Sequence, residues 1–164
     1  MTSINPSERY LPGNDGQFAV KPSESSRKLQ EVGADCFLLV ERIKAHEAVV
    51  AMTSYQLLVR LFNEQCVVAS SDSGETVTIR QNKDVPSSSL QSPSDPDAGY
   101  SGHKGKGYQM QVMETYSPDK SQPDLITHIN VEAAHESDAH ALLPAIDSAA
   151  ARELSPTELL ADSL

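Results

Sequence analysis

Three stretches decide the fold, and they read SDPDAGYSGHKGKGYQMQVMETY (residues 94–116), LITHINVEAAHESDAHALLPAIDSAAAREL (125–154) and SPTELLADSL (155–164). Apolar and polar residues alternate over 108–112 and again over 125–131, which is the period of a β-strand with one solvent-facing side. Gln109 and Gln111 are expected to be on that solvent-facing side. The connecting SPDKSQPD is rich in turn residues, so the two strands are predicted to form an antiparallel hairpin.

A helix and a further strand are predicted to follow this hairpin. Ser137 can cap a helix, and Pro144 within it is expected to give a kink or two short helices because proline lacks a backbone N–H. Residues 155–158 have the Ser-x-x-Glu spacing of a capping box, which predicts a single helical turn. The apolar run 159–161 is then predicted to be a buried strand. It ends at Asp162, where an α/β fold commonly places a metal-binding or catalytic carboxylate.

The preceding residues divide into segments of different composition. Residues 1–24 are rich in Ser, Pro, Asn and Gly and predict a disordered lead-in. Apolar residues three and four apart over 25–66 predict a helical hairpin, and the alternating residues that flank SSDSGE predict a small β-hairpin over 67–79. Residues 80–107 are broken by proline, serine and glycine and predict a loop or linker before a partial core over 108–164.

Composition limits the classes of protein that fit. The 164 residues suit one domain, and their formal net charge of −10 disfavours a chain that grips DNA through its own basic surface. No run of 18 apolar residues and no charged start followed by an apolar stretch is present, so neither a membrane span nor a secretory signal is expected. Cys36 and Cys66 lie in apolar helical patterns without metal-ligand spacing, which predicts reduced core residues in a cytoplasmic protein.

Two clusters of acidic residues and histidines have a functional and a structural interpretation. Asp95 and Asp97 could form a carboxylate pair, but the x-Pro-Asp-x setting is more typical of a turn. His135, Asp138 and His140 could ligate a metal ion, but they straddle a predicted helix start, where capping and dipole roles are more common.

The glycine-rich GHKGKGY lacks the Gly-Lys-Ser/Thr ending of a phosphate-binding P-loop, and it opens a strand instead of a helix. As a flexible basic loop, it remains a candidate contact to the DNA backbone through His103, Lys104 and Lys106.

The motifs together resemble the central part of the DDE transposases of bacterial insertion sequences. The resemblance rests on the DPDA turn, the GYQMQ strand, the LITHINVEAAHESDAHAL strand and helix, and the LLAD run, in that order, over roughly residues 84–164. The segments KPSESSRKLQ and AMTSYQLLVRLFNEQC also resemble the region that precedes this core in one branch of the family.

The resemblance implies a fold similar to ribonuclease H, in which three carboxylates hold two divalent ions for cleavage and transfer of DNA strands. Two metal ions polarise the attacking and leaving oxygens, and carboxylates are fitting ligands for Mg²⁺. Asp162 matches the second carboxylate, as a catalytic residue and metal ligand. The first belongs to an upstream strand with an Asp-Ser/Ala/Gly-Thr pattern, of which this sequence has no copy, and the third would lie beyond Leu164.

These considerations lead to the expected fold and function. The fold is an α/β (α+β) chain with an N-terminal helical hairpin and an incomplete ribonuclease H-like β-β-α-β unit. The function is that of a transposase fragment that is catalytically incompetent alone and binds no Mg²⁺ by itself, with transposon-end DNA as the partner of the intact family. Unpaired sheet edges predict marginal stability and self-association or aggregation. The alternative is a small acidic, non-enzymatic protein that uses its N-terminal helices for docking or dimerisation.

Overall fold

The computed structural model describes Tyr10 and residues 20–72, 74–119 and 121–161. The chain divides into two compact units, Met1–Pro93 and Ser94–Leu164. Both combine helix with antiparallel β-sheet, which confirms the mixed α/β class. The elements are α1 (Ser25–Ile43), α2 (Glu47–Val50), α3 (Thr53–Gln65), β1 (Cys66–Ser71), β2 (Gly74–Ile79), β3 (Gly99–Ser101), β4 (Gly105–Glu114), β5 (Ile126–Ala133) and α4 (Leu142–Ala150).

The N-terminal unit contains the predicted helical hairpin. Helices α1 and α3 pack against each other, and the short helix α2 lies in the connection between them. A backbone bond of 2.8 Å from the N–H of His46 to the carbonyl of Ile43 closes the end of α1. The periodic spacing of apolar residues therefore located both long helices correctly.

Strands β1 and β2 form the predicted antiparallel hairpin, in a register that runs from Cys66 opposite Ile79 to Ser71 opposite Gly74. Helix α1 packs on β2. The buried core is Phe62, Cys66 and Val77, against which Cys36, Phe37 and Ile79 pack. Both cysteines are free, as the sequence predicted, and burial raises the pKa of each thiol. Neutral thiols behave here as small apolar side chains.

The predicted disordered lead-in lies mostly outside the described residues. Tyr10 is described, and its hydroxyl donates a hydrogen bond of 2.5 Å to Oδ2 of Asp35, a carboxylate that is buried on α1. Pro22–Glu24 form a 3₁₀ turn that leads directly into α1. At least these residues are therefore ordered against, or continuous with, the helix.

Part of the predicted linker is structured. Ser89 and Leu90 are buried, and the Leu90 N–H donates to Oε2 of Glu64 on α3 at 2.6 Å. The other oxygen of Glu64 accepts from Nε of Arg60 at 2.9 Å. One carboxylate thus satisfies a backbone donor that would otherwise be buried without a partner, which binds this segment to the helix.

The C-terminal unit is built on a three-stranded antiparallel sheet in the order β3-β4-β5. Strand β4 begins at Gly105, before the predicted start at Tyr108, and it pairs with the short strand β3 inside the region predicted as linker. The predicted β4–β5 hairpin is confirmed, with Met110 opposite Val131 and a bulge after Met113.

Helix α4 follows a 3₁₀ turn at Asp138–Ala141, so the helical region has two pieces, as predicted, but they meet before Pro144 and not at it. Pro144 falls in the first turn of α4, where a backbone N–H has no partner within the helix, so the proline begins the helix instead of kinking it. Small buried side chains recur every four residues along one face of the helical region, at Ala141, Ala145 and Ala149. Helix α4 packs against β5.

The predicted last strand is wrong for the residues that the structure describes. Residues 151–161 form a turn and irregular backbone, and the helical turn predicted over 155–158 is also absent from them. The Leu154 N–H returns to the Ala149 carbonyl at 2.9 Å, with Glu153 at φ 60°. Because Leu160 is 71% exposed and no strand of the described part pairs with 159–161, this apolar run gains neither burial nor ladder hydrogen bonds. The described residues thus complete only the β-β-α part of the predicted unit.

Candidate functional site

A polar network joins the β3–β4 turn to the start of the helical region in the C-terminal unit. Oδ1 of Asp138 accepts hydrogen bonds from Nζ of Lys104 at 2.7 Å and from Nε2 of Gln111 at 2.8 Å. The Lys104 ammonium, followed by the Gln111 amide, holds the pKa of the Asp138 carboxyl below its usual range. The ionised carboxylate therefore ties the turn, β4 and the helix start together.

Gln109 carries a second branch of this network and is buried, at 8% exposure. Its Nε2 donates to Oε1 of Glu132 at 2.6 Å and to the Glu136 carbonyl at 2.9 Å, and its Oε1 accepts from Nζ of Lys104. Every polar atom of this buried amide has a partner. The prediction that Gln109 faces solvent is therefore wrong.

The two faces of the β4–β5 hairpin are inverted relative to that prediction. The glutamine face is the one closed by α4 and by the residues that precede it. The opposite face carries Tyr108, Met110, Val112, Ile129 and Val131, which are 45–62% exposed. Alternation identified the two faces, but it could not show which of them is covered, because a buried polar face becomes favourable only once its partners are in place. The exposed set is called the open apolar face below.

Asp95 and Asp97 lie in the predicted turn, where the Ala98 N–H approaches the Asp95 carbonyl at 3.4 Å. The Asp95 carboxylate accepts a hydrogen bond of 2.5 Å from the Tyr108 hydroxyl. This bond, with smaller effects from burial and from the charges of both aspartates, raises the pKa of Tyr108 to about 12. The turn interpretation is confirmed, and the side chain of Asp95 holds a strand residue.

The histidines of the region do not converge on a common point. His135 and His140 approach different oxygens of Glu136, at 3.3 and 3.9 Å, while Asp138 contacts Lys104. No group of three His, Cys, Asp or Glu side chains among the described residues could hold a metal ion. The described part of the chain therefore contains no ligand cluster for Mg²⁺, and Asp162, the carboxylate that the resemblance assigns to such a site, lies outside it.

The basic residues of the β3–β4 turn differ in how much they are committed to the fold. Lys104 is bound to Asp138 and Gln109, so its charge is compensated. His103 and Lys106 are exposed. Lys104 is also exposed, but only His103 and Lys106 of the proposed DNA-backbone contacts could bind phosphate without disturbing the polar network.

Asp162, the candidate catalytic residue and metal ligand, lies outside the described residues. The residues that lead to it, 151–161, are exposed along their whole length.

No helix in the described part of the chain is long and apolar enough to cross a membrane. No family model, no curated protein and no solved structure matches the chain.

Proposed function

We propose that the chain is a segment of a DDE transposase core that contributes Asp162, as the second of three carboxylates, to cleavage and transfer of DNA strands. The observation that carries this proposal is the order and spacing of the DPDA, GYQMQ, LITHINVEA and LLAD motifs. Their structural context supports it in part, since the first three correspond to a turn, strand β4 and strand β5, followed by a helix.

The chain alone is not expected to cleave DNA. One carboxylate is too few ligands for a pair of divalent ions, and the described residues offer no replacement cluster. The net charge of −10 also opposes binding to the phosphate backbone. Activity requires the strand with the first carboxylate and the helix with the third to be joined to this segment.

The test is to translate all frames of the flanking DNA and to express the restored reading frame. The expected result is Mg²⁺-dependent nicking of DNA that carries the ends of the element, abolished by Asp162→Asn. Asp147→Asn is the matched control, because Asp147 is an exposed carboxylate on α4 and its loss should leave nicking unchanged. Flanks that encode neither missing carboxylate, or nicking that survives Asp162→Asn, would disprove the proposal.

A second candidate function is that of a non-enzymatic docking protein. It is favoured by Leu29, Val32 and Leu38 on α1, which are 37–55% exposed. Exposed apolar side chains on a helix can seat a partner helix. A salt-sensitive shift in the gel mobility of DNA by the restored protein would favour the transposase proposal. Binding of a partner protein that is lost in the Leu29→Glu variant would favour docking.

A further inference from the structure

The open apolar face is a contiguous surface on a sheet whose other side is already closed. Its five large side chains come from two hydrogen-bonded strands, so they lie side by side and are held at fixed positions by the β4–β5 register. The polar network and α4 occupy the opposite side. The face therefore does not depend on a partner for its shape.

The chemistry of this face selects an apolar occupant. None of the five side chains carries a charge, and the one hydroxyl among them, on Tyr108, is already bonded to Asp95. An anionic lipid surface is a poor match for a chain with a net charge of −10. A protein surface with a complementary apolar row is the occupant that remains.

The cross-strand pairs make the face complementary to itself. Tyr108 lies opposite Ala133, Met110 opposite Val131, and Val112 opposite Ile129. A two-fold axis parallel to the strands and midway between them would place β4 of one copy over β5 of the other. The large Tyr108 ring would then stack over the small Ala133, and Met110 over Val131, in both directions at once.

The size of the face sets the strength of such a contact. Five large side chains, each about half exposed, present on the order of 400–500 Å² of surface. Two copies would together bury about 800–1,000 Å², which is at the low end for specific interfaces. A weak, reversible association is expected from this area.

We propose that two copies of the chain associate through their open apolar faces as a weak symmetric dimer, with the sheets stacked about 10 Å apart. This dimer does not depend on the proposed transposase function, because its five side chains include neither Asp162 nor a proposed contact to the DNA backbone.

Sedimentation velocity of the full chain over a range of concentrations tests the proposal. The wild type is expected to shift reversibly from monomer to dimer, with a micromolar or weaker dissociation constant. The double variants M110E/V131E and M110K/V131K should each raise that constant at least about tenfold. An equimolar mixture of the two should form a heterodimer again, because opposite charges then meet across the interface.

Two further variants test whether loss of the dimer is specific to this face, as opposed to a general change in surface hydrophobicity or misfolding. Leu143→Glu changes a side chain that is 69% exposed on α4, and it should leave the dimer intact. Ile129→Ala removes apolar surface from a position that is 52% exposed, and it should weaken the dimer with an unchanged circular dichroism spectrum. A wild type that stays monomeric, forms only large aggregates, or dimerises equally well with both double variants would overturn the proposal.

Discussion

The Tyr108 hydroxyl donates a hydrogen bond of 2.5 Å to Oδ1 of Asp95, 13 residues earlier in the chain. The bond joins the DPDA turn to strand β4 across the β3–β4 connection. The hydrogen bond to the carboxylate favours the protonated phenol and, with smaller effects from burial and from the charges of Asp95 and Asp97, raises the pKa of Tyr108 to about 12. A sequence feature that suggests a carboxylate pair thus has a structural role in holding the strand.

Asp95→Asn should lower the pKa of Tyr108 toward the ordinary value of 10. Asparagine keeps a carbonyl oxygen that can accept from the hydroxyl, but it lacks the negative charge that favours the protonated phenol. Because the folded-state pKa is raised, the stabilisation is present below about pH 10 and is lost as the pH rises through about 12. A titration of the tyrosine ring signals by NMR measures the shift. Asp97→Asn, which removes a charge without this hydrogen bond, should cause a smaller change, and an equal one would contradict the assignment.

Lys104→Met should make the C-terminal unit less sensitive to acid. The pKa of Asp138 is lowered in the folded chain, so its contribution is present above the ordinary value of 3.8 and is lost as the pH falls through the lowered value. Without the ammonium this dependence shrinks, which thermal melts followed by circular dichroism at several acidic pH values can detect. Lys106→Met removes the same charge two residues away, at the start of β4, and it should retain the wild-type pH dependence.

Gly99→Ala should destabilise the C-terminal unit by about 1–3 kcal/mol. A Cβ at this position would lie 2.1 Å from Nδ1 of His135 and 3.0 Å from its backbone nitrogen. The backbone contact cannot be relieved by a rotamer change alone. Gly102→Ala is the control, since a Cβ there would meet nothing within 4 Å. Urea unfolding of both variants compares them, and equal midpoints would show that Gly99 is not constrained.

On β4, replacing a side chain of the polar face should cost more stability than replacing one of the apolar face, which is the reverse of the usual order. Gln109→Met removes the hydrogen bonds that the buried amide makes to Lys104, to Oε1 of Glu132 and to the Glu136 carbonyl, and it should cost about 1–3 kcal/mol. Met110→Gln exchanges one exposed side chain for another and should change stability by no more than about 0.5 kcal/mol at concentrations where the chain is monomeric. Chemical denaturation measures both. If Met110→Gln proved the more destabilising change, the assignment of the covered and the open face of β4 would be wrong.

Local pattern was enough to predict most elements of this chain. Apolar spacing identified α1 and α3, alternation identified both hairpins, and the turn chemistry around Asp95 was interpreted correctly. These features depend on neighbours within a few residues, so the sequence contains the information directly.

The errors concern interactions between distant residues. The burial of Gln109 depends on Glu132 and Glu136, more than twenty residues away, and no local period reports that contact. The run 159–161 has the composition of a strand but lacks a partner in the described part of the chain, and a strand without a ladder does not form. The interpretation of Asp162 rests on the resemblance, because that residue lies outside what the structure describes.

The guanidinium of Arg152 bears on whether association through the C-terminal unit can continue without limit. It donates a hydrogen bond to the Thr127 carbonyl on β5, which in the described part of the chain has a neighbouring strand on one side only. Free backbone groups along such a strand are the template on which further chains add and grow into fibrils. Arg152 occupies one of these acceptors and places a charge beside the row, which opposes that growth. The proposed stacking of two faces uses up its own surface once one partner has bound, so this stacking and the charged edge together favour a closed pair over an open filament.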